Sequence, residues 1–119
     1  MKNLKLSTEL ASAVLGKEVT KCSLINKSRN SINISYFEDK EDFNPICREW
    51  NIYEFAFKCK EWALSKGYSQ LSGKDNIYEK GEGFVCSVGS TTLLIKDFYA
   101  DTEIEAIIKA CNWILGLVK

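Results

Sequence analysis

Residues 51–67 of this chain read NIYEFAFKCKEWALSKG, and this stretch decides the fold. Asn51 followed by Glu54 is a capping-box pattern, which predicts that a helix begins here, and Gly67 is the residue type that commonly ends one. Glu54 and Lys58 add an i, i+4 ion pair. The residues expected to face a core at helical spacing are Ile52, Phe55, Ala56, Cys59, Trp62 and Ala63. We therefore predict an amphipathic helix in the middle of the chain.

Working outward toward the C-terminus, a second long helix is predicted to start at Asp101 or Thr102. Thr102 and Glu105 form another capping box, and acidic residues in the first turn favour the positive end of the helix dipole. Its core stripe is predicted to comprise Ile104, Ile107, Ile108, Cys111, Ile114, Leu115 and Val118. A further apolar row on this helix consists of Ala106, Ala110, Trp113 and Leu117. The last helix therefore carries apolar side chains on more than one side.

Toward the N-terminus, Ser7 is a good cap for a short helix over Thr8–Leu15, and Gly16 fits its C-terminal end. Residues 19–25 have strand-like sequence, and residues 26–30 form a polar turn. Ile32, Ile34 and Tyr36 then alternate with polar residues, as in a half-buried strand. We interpret residues 19–36 as a β-hairpin, followed by a charged loop over residues 38–44 that Pro45 closes.

Between the two long helices, Tyr68 to Ser72 is predicted to be a weak strand and Ile77–Tyr78 a short one. Gly89–Ser90 fits a two-residue type II′ loop of a hairpin that returns over residues 91–98. That register pairs Val88 with Thr91, Cys86 with Leu93 and Phe84 with Ile95. The predicted class is α+β: three helices packed on a four- to five-stranded antiparallel sheet, α/β/α sandwich-like, as a single domain over residues 1–119.

The composition excludes several kinds of chemistry. The chain has no histidine, which eliminates Ser-His-Asp and Cys-His nucleophile activation and histidine-containing zinc sites. Lys plus Arg and Asp plus Glu both number 16, so no net field steers the chain toward a polyanion or an anionic membrane. We therefore predict no catalytic residues, no cofactor, no metal and no nucleic-acid partner, and we predict that the chain is not an enzyme.

Two weaker chemical hypotheses concern acidic residues and thiols. Asp39 and Asp42 could hold a cation, although the loop around them is better explained as solvated surface. The five cysteines, which form no CxxC pair, are Cys22, Cys47, Cys59, Cys86 and Cys111. We interpret them as reduced thiols acting mainly as small core residues. No stretch is apolar for long enough to cross a bilayer, so we expect a cytoplasmic protein without a membrane partner.

One stretch of the last helix resembles a known family. Residues 100–110, ADTEIEAIIKA, are similar to the closing ADT–EAI–KA stretch of small prophage proteins of the phage ABA-sandwich type. The order of elements is similar as well, although Ile104 stands where such proteins often carry proline and residues 26–50 have no counterpart. The resemblance implies a three-layer α/β/α sandwich and a phage or prophage setting. It supplies no catalytic residues.

The apolar rows on the two long helices are the strongest functional signal. They are explained either by packing of the helices on each other as well as on the sheet, or by an interface with another protein. The residues of such an interface would be Tyr53, Phe57, Leu64, Trp113 and Leu117. We therefore expect a non-enzymatic accessory protein that binds a host or phage protein, or a second copy of itself. The alternative is a small-molecule-binding protein with a pocket between sheet and helices.

Overall fold

The computed structural model describes residues 6–74, 83–90 and 95–118, and it shows an α+β protein. Its helices are α1 (Thr8–Leu15), α2 (Ile52–Ser65) and α3 (Glu103–Val118). Its strands are β1 (Glu18–Cys22), β2 (Ser31–Phe37), β3 (Ile46–Asn51), β4 (Tyr68–Lys74), β5 (Phe84–Ser90) and β6 (Ile95–Ala100). The prediction of one sheet with four or five strands is wrong: the described residues form six strands in two antiparallel sheets. The α+β class and the three helices are confirmed.

The chain divides into two compact units, a first unit of residues 1–58 and a second unit of residues 59–119. The first contains α1, β1, β2, β3 and the start of α2, and the second contains the end of α2, β4, β5, β6 and α3. The order helix, three strands, helix therefore occurs on both sides of α2. The prediction that residues 1–119 form a single domain stays a prediction.

In the first unit the strand order is β1-β2-β3, and α1 packs on β1. The predicted hairpin of β1 and β2 is confirmed, since Cys22 pairs with Ile34 and Val19 pairs with Tyr36. The predicted first helix is confirmed too, because the Leu10 N–H donates to the Ser7 hydroxyl at 3.1 Å. The buried residues of this unit include Leu10, Ala11, Val19, Cys22, Ile32, Ile34 and Tyr36. The pleat of β2 thus matches the alternation in its sequence.

Strand β3 was not predicted, and its sequence shows why. Of its six residues only Trp50 is buried, because β3 lies at the edge of its sheet. An edge strand of this kind carries charged residues such as Arg48 and Glu49, which leave little apolar alternation to detect. Tertiary pairing with β2, in which Ile32 lies opposite Trp50 and Ser31 opposite Asn51, makes these residues a strand.

In the second unit the strand order is β4-β5-β6, and α3 packs on all three strands. The predicted strand at Tyr68 is confirmed and continues to Lys74, while Ile77–Tyr78 lies outside the described residues. The predicted core stripe of α3 is confirmed for Ile104, Ile107, Ile108, Cys111 and Ile114, which are all buried. It is wrong for Leu115, which is half-buried, and for Val118, which is exposed. The last turn of α3 extends beyond this core.

The predicted register of the second hairpin is wrong. Gly89 and Ser90 belong to β5 instead of forming a loop, and Cys86 lies opposite Phe98 instead of Leu93. Phe84 lies opposite Ala100, and Ile95 lies opposite Gly89; Thr91 and Leu93 lie outside the described residues. A glycine-serine pair is a local turn signal, but it was outweighed by the seven pairs that β5 makes with β4. Tertiary pairing therefore set the length of β5.

Two glycines of the second unit make a matched test of the backbone. Gly67 follows α2 with φ of 91°, whereas Gly116 is an exposed helical residue at which an added Cβ would meet open space. Gly67→Ala is expected to lower the free energy of unfolding by about 1–2 kcal/mol, since an L side chain is strained at positive φ. Gly116→Ala is expected to raise it by about 0.5–1 kcal/mol. Urea denaturation measures both, and a stabilising effect of Gly67→Ala would contradict the assigned helix end.

Candidate functional site

One side of α2 exposes a row of large apolar side chains. Tyr53 is 62% exposed, Phe57 63% and Leu64 66%. At about 100° per residue, the three side chains lie within about 40° of one another around the helix axis. Soluble proteins usually bury aromatic and leucine side chains of a helix, so a row of three in solvent is unusual. We call Tyr53, Phe57 and Leu64 the α2 row.

The side of α2 opposite to the row carries the buried residues of the helix. Its buried residues are Ile52, Phe55, Cys59, Trp62 and Ala63, as the sequence predicted, and Ala56 is half-buried instead of buried. Phe55 has no exposed surface, while Phe57, two residues later, is mostly in solvent. The α2 row is therefore additional apolar surface and not the core-facing stripe.

The start of α2 is fixed by contacts with β3 and the preceding turn. The Asn51 side-chain oxygen accepts from the Tyr53 N–H at 2.8 Å and from the Glu54 N–H at 3.4 Å, so Asn51 is the predicted cap. The Ile52 N–H donates to the Asn30 carbonyl at 2.9 Å. Together these bonds hold the first turn of the helix and therefore the position of Tyr53.

A cation–π contact lies beside this cap. The Arg48 guanidinium stacks over the buried Trp50 ring at 3.8 Å from its centroid and contacts the Glu54 carboxylate at 3.4 Å. Glu54 therefore pairs with Arg48, in place of the Lys58 partner that the helical spacing favoured; the Lys58 ammonium lies 5.8 Å from the Trp50 ring centroid. The Arg48 and Glu54 charges are therefore paired with each other within the first unit.

The two predicted interface residues of α3 lie in different surroundings from the α2 row. Trp113 is half-buried and packs against Tyr68 and Phe98, with ring centroids at 6.2 and 5.8 Å. The Lys96 ammonium lies 5.2 Å from its centroid. Leu117 is 49% exposed near the end of α3. The structure therefore places Trp113 in an aromatic cluster of the second unit, and only Leu117 of this pair in solvent.

The three most exposed large apolar side chains of the described residues were not among the predicted interface residues. Phe43 is 97% exposed in the loop before β3, Leu71 is 79% exposed on β4, and Ile95 is 72% exposed on β6. Leu71 and Ile95 lie on the sheet face opposite the one that carries Cys86 and Val88. Side chains alternate between the two faces along β4, so Leu71 points away from the face that carries Gln70. The sequence alone does not show that Gln70 is on the inner face, and Leu71 was therefore not predicted to be exposed.

The predicted cation pair is used locally. The Asp39 N–H donates to a carboxylate oxygen of Asp42 at 3.0 Å, and the Asp42 N–H donates to the Asp39 carbonyl at 3.2 Å. These bonds close a turn in the exposed loop 38–44. Within residues 6–74, 83–90 and 95–118, no group of three or more cysteine or acidic side chains is arranged to hold a metal ion. The loop borders a surface depression of about 860 Å³ that is lined by residues 16–18 and 37–42.

Three buried thiols lie together in the second unit. Burial raises the pKa of Cys86 to about 12, with the Cys111 thiol adding to the effect. A hydrogen bond from Cys59 lowers the pKa of Cys111, and the same pair, together with burial, raises the pKa of Cys59 well above its usual value. The Gln70 amide nitrogen also lies 3.3 Å from the Cys111 sulfur. These thiols pack as core residues, as predicted, and Cys59 and Cys111 differ in their affinity for a proton.

Comparison with known proteins found no matching family model, no matching curated protein and no matching solved structure. The resemblance of residues 100–110 to phage ABA-sandwich proteins therefore stays a prediction. In the part of the chain that the structure describes, none of the helices has the length and apolar character needed to cross a membrane.

Proposed function

We propose that this chain is a non-enzymatic accessory protein that binds another protein through the α2 row. The observation that carries the proposal is the exposure of Tyr53, Phe57 and Leu64, each above 60%, on a helix whose other side is buried. A phage or prophage setting and a cytoplasmic location belong to the same proposal, supported by the sequence resemblance and by the lack of long apolar stretches.

Burial of the α2 row against a partner would supply binding free energy through the hydrophobic effect. Fully covering a leucine or phenylalanine side chain contributes about 1.5–3 kcal/mol, and aromatic residues dominate the binding energy of many interfaces. An amphipathic helix or an apolar groove on the partner would engage residues at this i, i+4, i+11 spacing. Because α2 is capped by Asn51 and its other side is buried, the helix is already formed before a partner binds. Binding would therefore cost this chain little conformational entropy.

The charges beside the row favour a different protein over a second copy of this chain. Exposed Glu61 lies next to the row on one edge of α2, about 40–80° from its members around the axis. Glu54 lies on the same edge, where its carboxylate is paired with Arg48. In an antiparallel pair of α2 helices related by a two-fold axis, the same acidic edges would face each other. Like charges in that position oppose association, whereas basic side chains on a different partner would complement them.

The test is capture of a partner followed by measurement with the purified complex. Tyr53→Ser/Phe57→Ser is expected to weaken partner binding at least about tenfold, since truncating interface aromatics often costs 2 kcal/mol or more. Leu71→Ser is the matched control, because Leu71 is similarly exposed but lies on β4. Isothermal titration measures both variants against wild type.

Two outcomes would contradict the proposal. Binding that is unchanged in Tyr53→Ser/Phe57→Ser would show that the partner uses another surface, and equal loss with Leu71→Ser would show that the effect is not specific to α2. Light scattering after size-exclusion chromatography checks self-association: a dimer that the double variant dissociates would assign the row to a second copy instead.

A further inference from the structure

Two thiols on neighbouring helices of the second unit are in contact, and the proposed binding function does not involve them. Cys59 on α2 and Cys111 on α3 both have no exposed surface. The Cys111 S–H donates to the Cys59 backbone carbonyl, with 3.8 Å between sulfur and oxygen. The two thiols also shift each other's pKa, raising that of Cys59 and lowering that of Cys111. The two sulfurs are therefore neighbours, although 52 residues separate them in the sequence.

The surroundings make the two sulfurs chemically unequal. Interaction with Cys59 and with the Gln70 amide, whose nitrogen lies 3.3 Å from the Cys111 sulfur, lowers the pKa of Cys111 against the opposing effect of burial. Cys59 has a raised pKa and keeps its proton. Cys111 is thus the thiol that ionises more readily, and a second thiol lies beside it, an arrangement in which one cysteine is oxidised and the other resolves the sulfenic acid.

We propose that Cys59 and Cys111 form a reversible disulfide when the protein meets a hydroperoxide. In the first step the Cys111 thiolate attacks the O–O bond, forming an S–O bond while the other oxygen leaves and takes a proton as an alcohol, or as water when the oxidant is hydrogen peroxide. In the second step the Cys59 sulfur attacks the sulfenic acid, the S–S bond forms, the S–O bond breaks, and water leaves with the Cys59 proton. Two thiols lose two electrons and the hydroperoxide gains them.

The disulfide would connect α2 to α3 and close a long loop. Closing a loop reduces the entropy of the unfolded chain, so the oxidised protein is expected to resist unfolding more than the reduced one. Complete burial makes the reaction slow, because the oxidant must reach the sulfur through local opening. In a reducing compartment the bond would be transient, as regulatory disulfides are.

Hydrogen peroxide is the probe, and Cys47→Ser provides the background because Cys47 is the exposed thiol among the five. After treatment and quenching, the intact mass is expected to fall by about 2 Da, the loss of two hydrogens when two thiols become a disulfide. Digestion without reductant is expected to yield one linked pair of peptides that contain Cys59 and Cys111. Reduction should restore the intact mass and separate the linked peptides, and it should reverse any rise in the thermal midpoint of unfolding.

Single replacements assign the roles of the two sulfurs. In Cys59→Ser, dimedone is expected to label Cys111, because the sulfenic acid is no longer resolved. In Cys111→Ser, Cys59 is expected to stay unlabelled. Cys86→Ser is the control, since it removes a buried neighbouring thiol and should leave the link intact. Thermal melts of each variant identify any that fails to fold, and the peptide map of the Cys47→Ser protein is independent of them.

The proposal is overturned if Cys59 and Cys111 both remain open to alkylation after denaturation of the treated protein, under conditions that oxidise Cys47 in wild type. It is also overturned if the linked peptides contain Cys86 in place of either residue. Neither result would affect the proposed binding function, because the α2 row contains none of these thiols.

Discussion

Replacing Phe55 with alanine is expected to lower the free energy of unfolding by about 3–5 kcal/mol. Phe55 has no exposed surface and, among the residues that the structure describes, is the largest fully buried side chain. Its removal would forfeit the transfer free energy of the ring and leave a cavity that the surrounding side chains fill only in part. Small proteins have free energies of unfolding of about 5–15 kcal/mol, so this single change would remove a large fraction of the stability of the protein. Urea denaturation followed by tryptophan fluorescence measures it.

Phe57→Ala is the matched control for this prediction. The residue type, the helix and the substitution are the same, but Phe57 is 63% exposed. We expect a change in unfolding free energy within about 0.5 kcal/mol, as for most surface replacements. A loss as large as that of Phe55→Ala would mean that Phe57 is part of a core, and the proposed binding surface would then be wrong.

The second large effect is expected at α3. Ile114 has no exposed surface on a helix that packs on all three strands of its sheet. Ile114→Ala is expected to lower the free energy of unfolding by about 2–5 kcal/mol, since isoleucine truncation in a core has this cost. The same urea denaturation measures it, with a midpoint shift at constant slope as the signature of a true loss of stability.

Ile95→Ala is the control that also tests the hairpin register. Ile95 lies opposite Gly89 on β5 and is 72% exposed, so a change within about 0.5 kcal/mol is expected. The register predicted from the sequence placed Ile95 opposite Phe84, on the face that carries buried Cys86. That register would give Ile95→Ala the cost of a core truncation, and observing such a cost would contradict the pairing of β5 with β6.

The helix ends were predictable because their signals are local. Ser7, Asn51 and Thr102 each bond to backbone or side-chain groups within the first turn of the following helix, as their spacing indicated. At Thr102 the hydroxyl accepts from the Glu105 N–H at 3.3 Å, as a helix cap does, and it donates to the Glu105 carboxylate at 2.6 Å. Gly16 has φ of 66°, as a helix-ending glycine should. A few neighbouring residues suffice to specify such structures.

Part of the candidate site was predictable for the same reason. The helical spacing of Tyr53, Phe57 and Leu64 fixes their common side once α2 exists, and their exposure follows from the burial of Phe55 on the other side. The place of Trp113 was not predictable, because its partners Tyr68 and Phe98 come from two strands remote in the sequence. The contact of Cys59 with Cys111 was missed for that reason too.

By itself the sequence determined the three helices, their caps, the hairpin of β1 and β2, and the absence of histidine chemistry. Tertiary structure decided the strand β3, the division into two sheets and the direction of β4. In β4 the amide of Gln70 reaches Cys111 and the hydroxyl of Ser72 donates to Glu103 at 2.6 Å, which turns Leu71 toward solvent. Hydrophobicity alone predicts the reverse orientation of this strand. Strand register and strand face depend on partners remote in the chain, and only the folded molecule brings those partners together.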